Sequence, residues 1–111
     1  MNTPEYRIVT SDNIEAIFEL DIIPELECFD GHFDNHPVLP GVAQVTFAMR
    51  IAEHHFGIKN QFAGMEAVKF QSIITPPNKV LLWLKYDADK SKIHFKYFKE
   101  SANYSSGRIL V

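Results

Sequence analysis

The chain has 111 residues, 46% of them hydrophobic, and a formal net charge of −3. That length suits one domain, 1–111, and the composition is that of an ordinary globular chain; no basic run argues for a nucleic-acid surface. No apolar stretch approaches the ~20 residues that a membrane span needs.

The N-terminal Met1-Asn2-Thr3-Pro4-Glu5 lacks the basic-then-apolar pattern of a leader. Cys28 is the only cysteine, so no internal disulfide can form, and an inert, half-buried thiol is expected. A reducing cytoplasm is the expected compartment. Nine Phe and four Tyr suit a sheet-rich core. A domain this small buries only part of its surface, so a dimer partner would help it.

Residues 15–23 alternate Ala16, Phe18, Leu20 and Ile22 against Glu15, Glu19 and Asp21, which predicts a strand stopped by Pro24. Residues 28–40 read as loop, rich in Asp, Asn, Gly and Pro. A helix follows over 41–56. Val42, Val45, Met49, Ala52 and Phe56 recur at helical spacing, and Phe47, Ala48 and Ile51 widen the stripe, so the helix should be buried. Gly57 closes it. Strands are expected at 62–74, 79–87, 92–99 and 106–111, with turns at 75–78 and 87–91. One strand, one buried helix and four antiparallel strands make an α+β layout in which the sheet wraps around the helix.

The chemistry concentrates in Phe29-Asp30-Gly31-His32-Phe33-Asp34-Asn35-His36-Pro37-Val38-Leu39-Pro40-Gly41-Val42. A histidine sits on a stiff loop just before a helix start. Removing a proton beside a thioester carbonyl needs a base with a pKa near neutrality, which histidine supplies. The enolate oxygen needs donors, and the unpaired N–H groups of a helix start can provide them. Gly41 lets a carbonyl approach its backbone, and Pro40 fixes the entry into the helix. On chemistry alone, His32 and His36 read equally as loop histidines that cap turns. Their His-x3-His spacing contains no helix, Pro37 breaks the backbone just after it, and the cysteines and acids of a structural zinc site are not clustered there, so no metal is expected. His54 and His55 suit the helix C-terminus, where cations are favoured.

Residues 31–42 resemble the signature of the 3-hydroxyacyl-(acyl carrier protein) dehydratases of the hotdog fold: Gly-His-Phe, a Pro-rich turn, then Pro-Gly-Val opening the central helix. Val68-Lys69-Phe70, the turn at 75–78 and Ser105-Ser106-Gly107-Arg108-Ile109 follow in the right order. Gln44 and the closing Ser-Gly-Arg resemble the branch associated with aryl-polyene biosynthesis. The resemblance covers roughly residues 15–111.

It implies dehydration of a 3-hydroxyacyl thioester to a trans-2-enoyl thioester, in fatty-acid or aryl-polyene-type biosynthesis, with no cofactor and no metal. His32 matches the family's catalytic histidine, and Gly41 the glycine whose N–H joins the oxyanion hole. With Val42, Gly41 would polarise the thioester carbonyl; Thr46 and Gln44 would orient a water or the hydroxyl. Val45, Met49 and Phe70 would line the acyl chain, and Phe33 falls in the same substrate-binding set.

The family places a Glu or Asp fourteen positions after its histidine; here that position is Thr46. Threonine supplies no titratable proton near pH 7. Glu53 lies seven residues on, about 10 Å along the axis. The resemblance therefore implies a slow dehydratase, a one-base enzyme in which His32 shuttles the proton, or an acyl-binding relative without turnover. It also implies a dimer, homo- or heteromeric with a related hotdog subunit, and an acidic acyl carrier protein as partner. Lys69, Lys96, Lys99 and Arg108 are candidates for a basic rim at the tunnel mouth. Two rivals stand beside this reading: a hotdog thioesterase and a non-catalytic carrier-binding or partner subunit.

Overall fold

The computed structural model describes residues 1–30 and 36–111. The elements run β1 (Tyr6–Ser11), β2 (Glu15–Ile22), a 3-10 turn (Glu27–Phe29), α1 (Gly41–Phe56), β3 (Gly64–Phe70), β4 (Asn78–Asp87), β5 (Lys92–Lys99) and β6 (Ala102–Leu110). They form one six-stranded sheet of order β1-β2-β4-β5-β6-β3, with every neighbouring pair antiparallel. One long helix against one curved antiparallel sheet is the hotdog arrangement that the resemblance implies.

Alternation decides which side of the sheet meets the helix. Ala16, Phe18, Leu20 and Ile22 of β2, Val80, Leu82 and Leu84 of β4, and Ile93, Phe95 and Tyr97 of β5 are all buried. They meet Ala43, Phe47, Ala48, Ile51 and Ala52 of α1, which lies across β4 and β5. Three alanines on that face let helix and sheet approach closely. The helix ends at Gly57, whose φ of 66° is left-handed; its N–H and that of Ile58 both reach the Glu53 carbonyl.

The first strand, β1, is absent from the sequence reading. All six of its residues are exposed, and its register slips between Ile8 and Thr10, so no alternation marks it. Asp12 makes the hairpin, its Oδ1 accepting the Ile14 and Glu15 N–H groups at 2.9 Å each. The strand expected over 62–74 is shorter, at Gly64–Phe70, and β6 is longer than expected.

A bulge in β3 matters for the site. Ala67 has φ 53° and the register against β6 shifts between Glu66 and Lys69. The extra residue re-phases the strand. Met65, Val68 and Phe70 then face the helix side, while Glu66 and Lys69 face outward. Outside, Glu66 accepts from Lys92 Nζ at 2.6 Å and Arg108 Nε at 2.8 Å, tying β3 to β5 and β6. These two cations hold the Glu66 carboxyl down to about 2. Inside, Val68 and Phe95 close over Gly107.

Two predictions follow from β3. A Cβ at Gly107 would stand 2.9 Å from Val68 Cγ2, 3.0 Å from Phe95 Cε2 and 3.1 Å from the Val68 backbone. Gly107→Ala should therefore destabilise the fold by ~1–3 kcal/mol in urea unfolding. Glu66 has a depressed folded pKa, so its contribution is complete above its ordinary value near 4.5 and is lost as pH falls toward 2. Acid titration of the melting temperature should be shallower in Glu66→Gln over that window; identical slopes would remove Glu66 from the acid response.

Candidate active site

An open apolar groove of about 560 Å³ runs between α1 and the edge strand β3. Gly41, Val42, Val45, Thr46, Met49, Arg50 and Glu53 form its helix wall. Phe62, Met65, Val68 and Phe70 form the other. Twelve residues separate Gly41 from Glu53, which at the helical rise is about 18 Å. Val42, Phe62, Met65 and Phe70 are more than half exposed, so an oily strip flanks the groove along the open edge of the sheet.

The end of the groove at Gly41 is the start of α1. Its N-cap is Pro40, which offers no side-chain cap, and the first turn holds no acidic residue. The first intrahelical bond is Gln44 N–H to the Pro40 carbonyl at 3.1 Å. The N–H groups of Gly41, Val42 and Ala43 thus precede the helical ladder and point out of its end. Leu39, buried beside them, anchors the entry by donating its N–H to the Ile74 carbonyl at 2.8 Å. The space that a Cβ on Gly41 would fill is taken by the ring of Phe70, 2.6 Å away at Cζ. Glycine here admits an aromatic lid from β3.

Of the site residues read from the sequence, Gly41, Val42, Val45, Thr46, Met49 and Phe70 meet along this groove. His32 and Phe33 lie outside the described residues.

Gln44 corrects the expectation that it faces substrate. It is only 3% exposed and its amide is engaged on the core side, with Leu39 and Ser105. The Thr46 hydroxyl donates to the Val42 carbonyl at 2.7 Å, so its proton is committed to the helix and only its lone pairs face the groove. Glu53 does reach the groove, two turns from Thr46, at the end far from Gly41.

Lys69, Lys96 and Arg108, expected at the tunnel mouth, instead gather on the outer face of the sheet around a shallow hollow with Trp83 and His94; Lys99 is not part of it. β3 separates them from the groove. Partial burial, and after it the nearby charges of Arg108 and Lys85, lowers the His94 pKa. Burial likewise raises the Cys28 thiol, in keeping with an inert cysteine. The groove residues that sequence reasoning missed are Arg50, Phe62, Met65 and Val68. The inward turn of Met65 and Val68 depends on the Ala67 bulge, which no periodicity announces.

Comparison with known proteins decides the family. Residues 8–108 match the ApeI-like family, described as ApeI dehydratase. The chain belongs to the ApeI-like dehydratase family. The 3-hydroxyacyl-(acyl-carrier-protein) dehydratase FabZ of Lactococcus lactis subsp. cremoris is 33% identical over 85 residues, covering 70% of this chain and 58% of that one. The chain thus spans less than two thirds of the curated relative's length.

Among solved structures, the dehydratase heterocomplex ApeI:P from Xenorhabdus doucetiae superposes with a TM-score of 0.89 at 33% identity, over 98% of this chain and 97% of that one. An uncharacterized protein from Erwinia carotovora subsp. atroseptica does so at 0.79 and 30%, over 96% and 90%. The first groove residue of this ApeI-like chain is thus the glycine of its Pro40-Gly41-Val42, and the groove lies on the helix that follows it. No described helix is long and apolar enough to cross a membrane.

The Phe70 lid makes a testable pair. Gly41→Ala should push against the ring in the wild-type background and be nearly neutral in Phe70→Ala, because the obstacle is then gone. The coupling should be of order 1 kcal/mol in a double-mutant unfolding cycle. Additive effects would mean that the ring does not rest on Gly41 in solution.

Proposed function

We propose that residues 1–111 work as one hotdog unit that dehydrates a 3-hydroxyacyl thioester carried on an acyl carrier protein. The observation that carries this reading is the apolar groove that ends on the uncapped N–H groups of Gly41 and Val42, directly after a loop bearing the family's Gly-His-Phe. The acyl chain would lie along Val45 and Met49, with Phe70 over the thioester end. His32 takes the α-proton, and the electron pair moves onto the thioester oxygen, which the two N–H groups hold. When the enolate collapses, the Cβ–O bond breaks. The hydroxyl leaves as water with the proton that His32 carries, and a trans-2-enoyl thioester remains.

One histidine performs both proton transfers because Thr46 cannot help with the second: its proton is already donated to Val42. Loss of one acid–base group typically costs ~10²–10⁴ in rate. The same observation supports a second reading, that this chain is the partner subunit of a carboxylate-bearing relative. In either case the unpaired edge of β3, with exposed Met65 and Phe70, is where a second hotdog chain would extend the sheet. The solved relative described as a heterocomplex makes a different chain a natural occupant.

The test is enoyl formation from a 3-hydroxyacyl-carrier-protein thioester, by the purified chain alone and with candidate hotdog partners. Wild type should turn over and His32→Ala should lose at least ~100-fold; equal rates would sink the mechanism. Thr46→Glu should gain about 10-fold or more, because an apolar groove raises a carboxyl pKa into the range of a general acid. Free thiol released in place of enoyl product would point to a thioesterase.

A further inference from the structure

We propose that Gln44, Ser105 and Tyr97 are positioning residues: a buried hydrogen-bonded clamp that sets the direction of the Gly41 and Val42 N–H groups. The inference rests on the dehydratase reading for its meaning, but not for its geometry.

The start of α1 has nothing local to hold it. Proline is the N-cap, no side chain caps the turn, and no acidic residue sits in it. An uncapped helix end frays, and donors on a frayed end point nowhere in particular. What holds this one comes from across the core.

The Gln44 side chain reaches back past the helix start and donates from Nε2 to the Leu39 carbonyl at 3.2 Å. Ser105 Oγ of β6 donates to Gln44 Oε1 at 2.6 Å. Tyr97 of β5 donates its phenol proton to the Gln44 backbone carbonyl at 2.6 Å. A carbonyl can only accept, so Leu39 fixes which way the amide is turned and leaves Oε1 for Ser105. Burial pushes the Tyr97 phenol well above its ordinary range, so it remains a donor at any working pH.

Gln44 is 3%, Ser105 1% and Tyr97 0% exposed. No buried side-chain polar atom among the described residues lacks a partner. In so dry a place each bond is directional, and losing one leaves a group that water cannot reach. Three bonds therefore fix the first turn from three sides: the segment that enters it at Leu39, β5 and β6. Gly41 and Val42 lie between the anchored Leu39 and the anchored Gln44, with four residues of chain in which to adjust. Ser105 also pairs in register with Phe70, the residue that covers Gly41. The clamp and the lid thus share one rung of the sheet. An apolar residue at position 44 could fill the same space, but it would tie nothing to Leu39.

Two readouts test the clamp. On the chain alone, the ¹⁵N amide signals of Gly41 and Val42 should shift, and their hydrogen exchange should speed up, in Ser105→Ala and in Tyr97→Phe. Ser105→Thr, which keeps the hydroxyl, should restore both. In the carrier-protein assay, measured well below the melting temperature, Ser105→Ala should lower kcat by about 10- to 100-fold with KM within twofold. Ser105→Thr should recover most of that loss. Gly41 and Val42 amides that stay at their wild-type positions in both folded variants would overturn the clamp. So would an unchanged kcat. If wild type shows no turnover that His32→Ala abolishes, the dehydratase reading fails; the amide measurements still decide the clamp.

Discussion

Everything in this molecule depends on one packing contact, the burial of α1 against β4 and β5. Ala43, Ala48 and Ala52 let the helix sit low on the sheet, and Phe47 and Ile51, one turn apart on the same face, fill the space beside them. A helix seated that way has its sheet-facing side fully used. Its opposite flank, carrying Val42, Val45, Thr46 and Met49, is covered only by an edge strand, so a groove remains. The groove is therefore a consequence of the packing: a six-stranded sheet with its helix over the centre cannot also close over the helix's side. The same seating draws the uncapped first turn into the core, where a single glutamine must meet three polar neighbours.

Much of this was legible in the sequence because burial writes period into it. Phe18, Leu20 and Ile22 alternate, as do Val80, Leu82 and Leu84, since one face of each strand is dry. The helix bounds, Gly41–Phe56, follow from Pro40 before and Gly57 after. What was not legible had no such signature. β1 is exposed on both faces, so nothing selects an alternation. The inward turn of Met65 and Val68 depends on Ala67 adopting a positive φ, a conformation that tertiary context imposes on a residue with no preference for it.

The site was read by residue type, and its failure at Gln44 is instructive. Gln44 is polar, one helical turn from Gly41, and falls beside residues that do line the groove. Sequence spacing places Gln44 and Val45 about 100° apart on the helix, and that angle separates groove from core. A polar residue at such a boundary reads as a ligand contact until the partners on the core side are known. Here those partners are Ser105 and Tyr97, more than fifty residues downstream, and no local pattern links them. The basic residues failed for a related reason. Lys69 is adjacent in sequence to Val68 and Phe70, yet strand alternation sends it to the other side of the sheet.

Thr46 closes the argument about chemistry. A dehydration moves one proton off carbon and one onto oxygen, and the groove offers only lone pairs at Thr46. The hydroxyl cannot be turned to serve, since rotating it away from Val42 gives up a 2.7 Å bond without providing an acid. Glu53 cannot move up two helical turns. In the proposed dehydration, a proton for the leaving hydroxyl would therefore come from the residue that removes the first one, or from outside this chain. The exposed apolar edge of β3 borders the same groove, so a second chain paired there would stand beside Thr46. Thr46 and the exposed edge of β3 thus border one groove, and a partner paired along that edge would bring its own side chains to it.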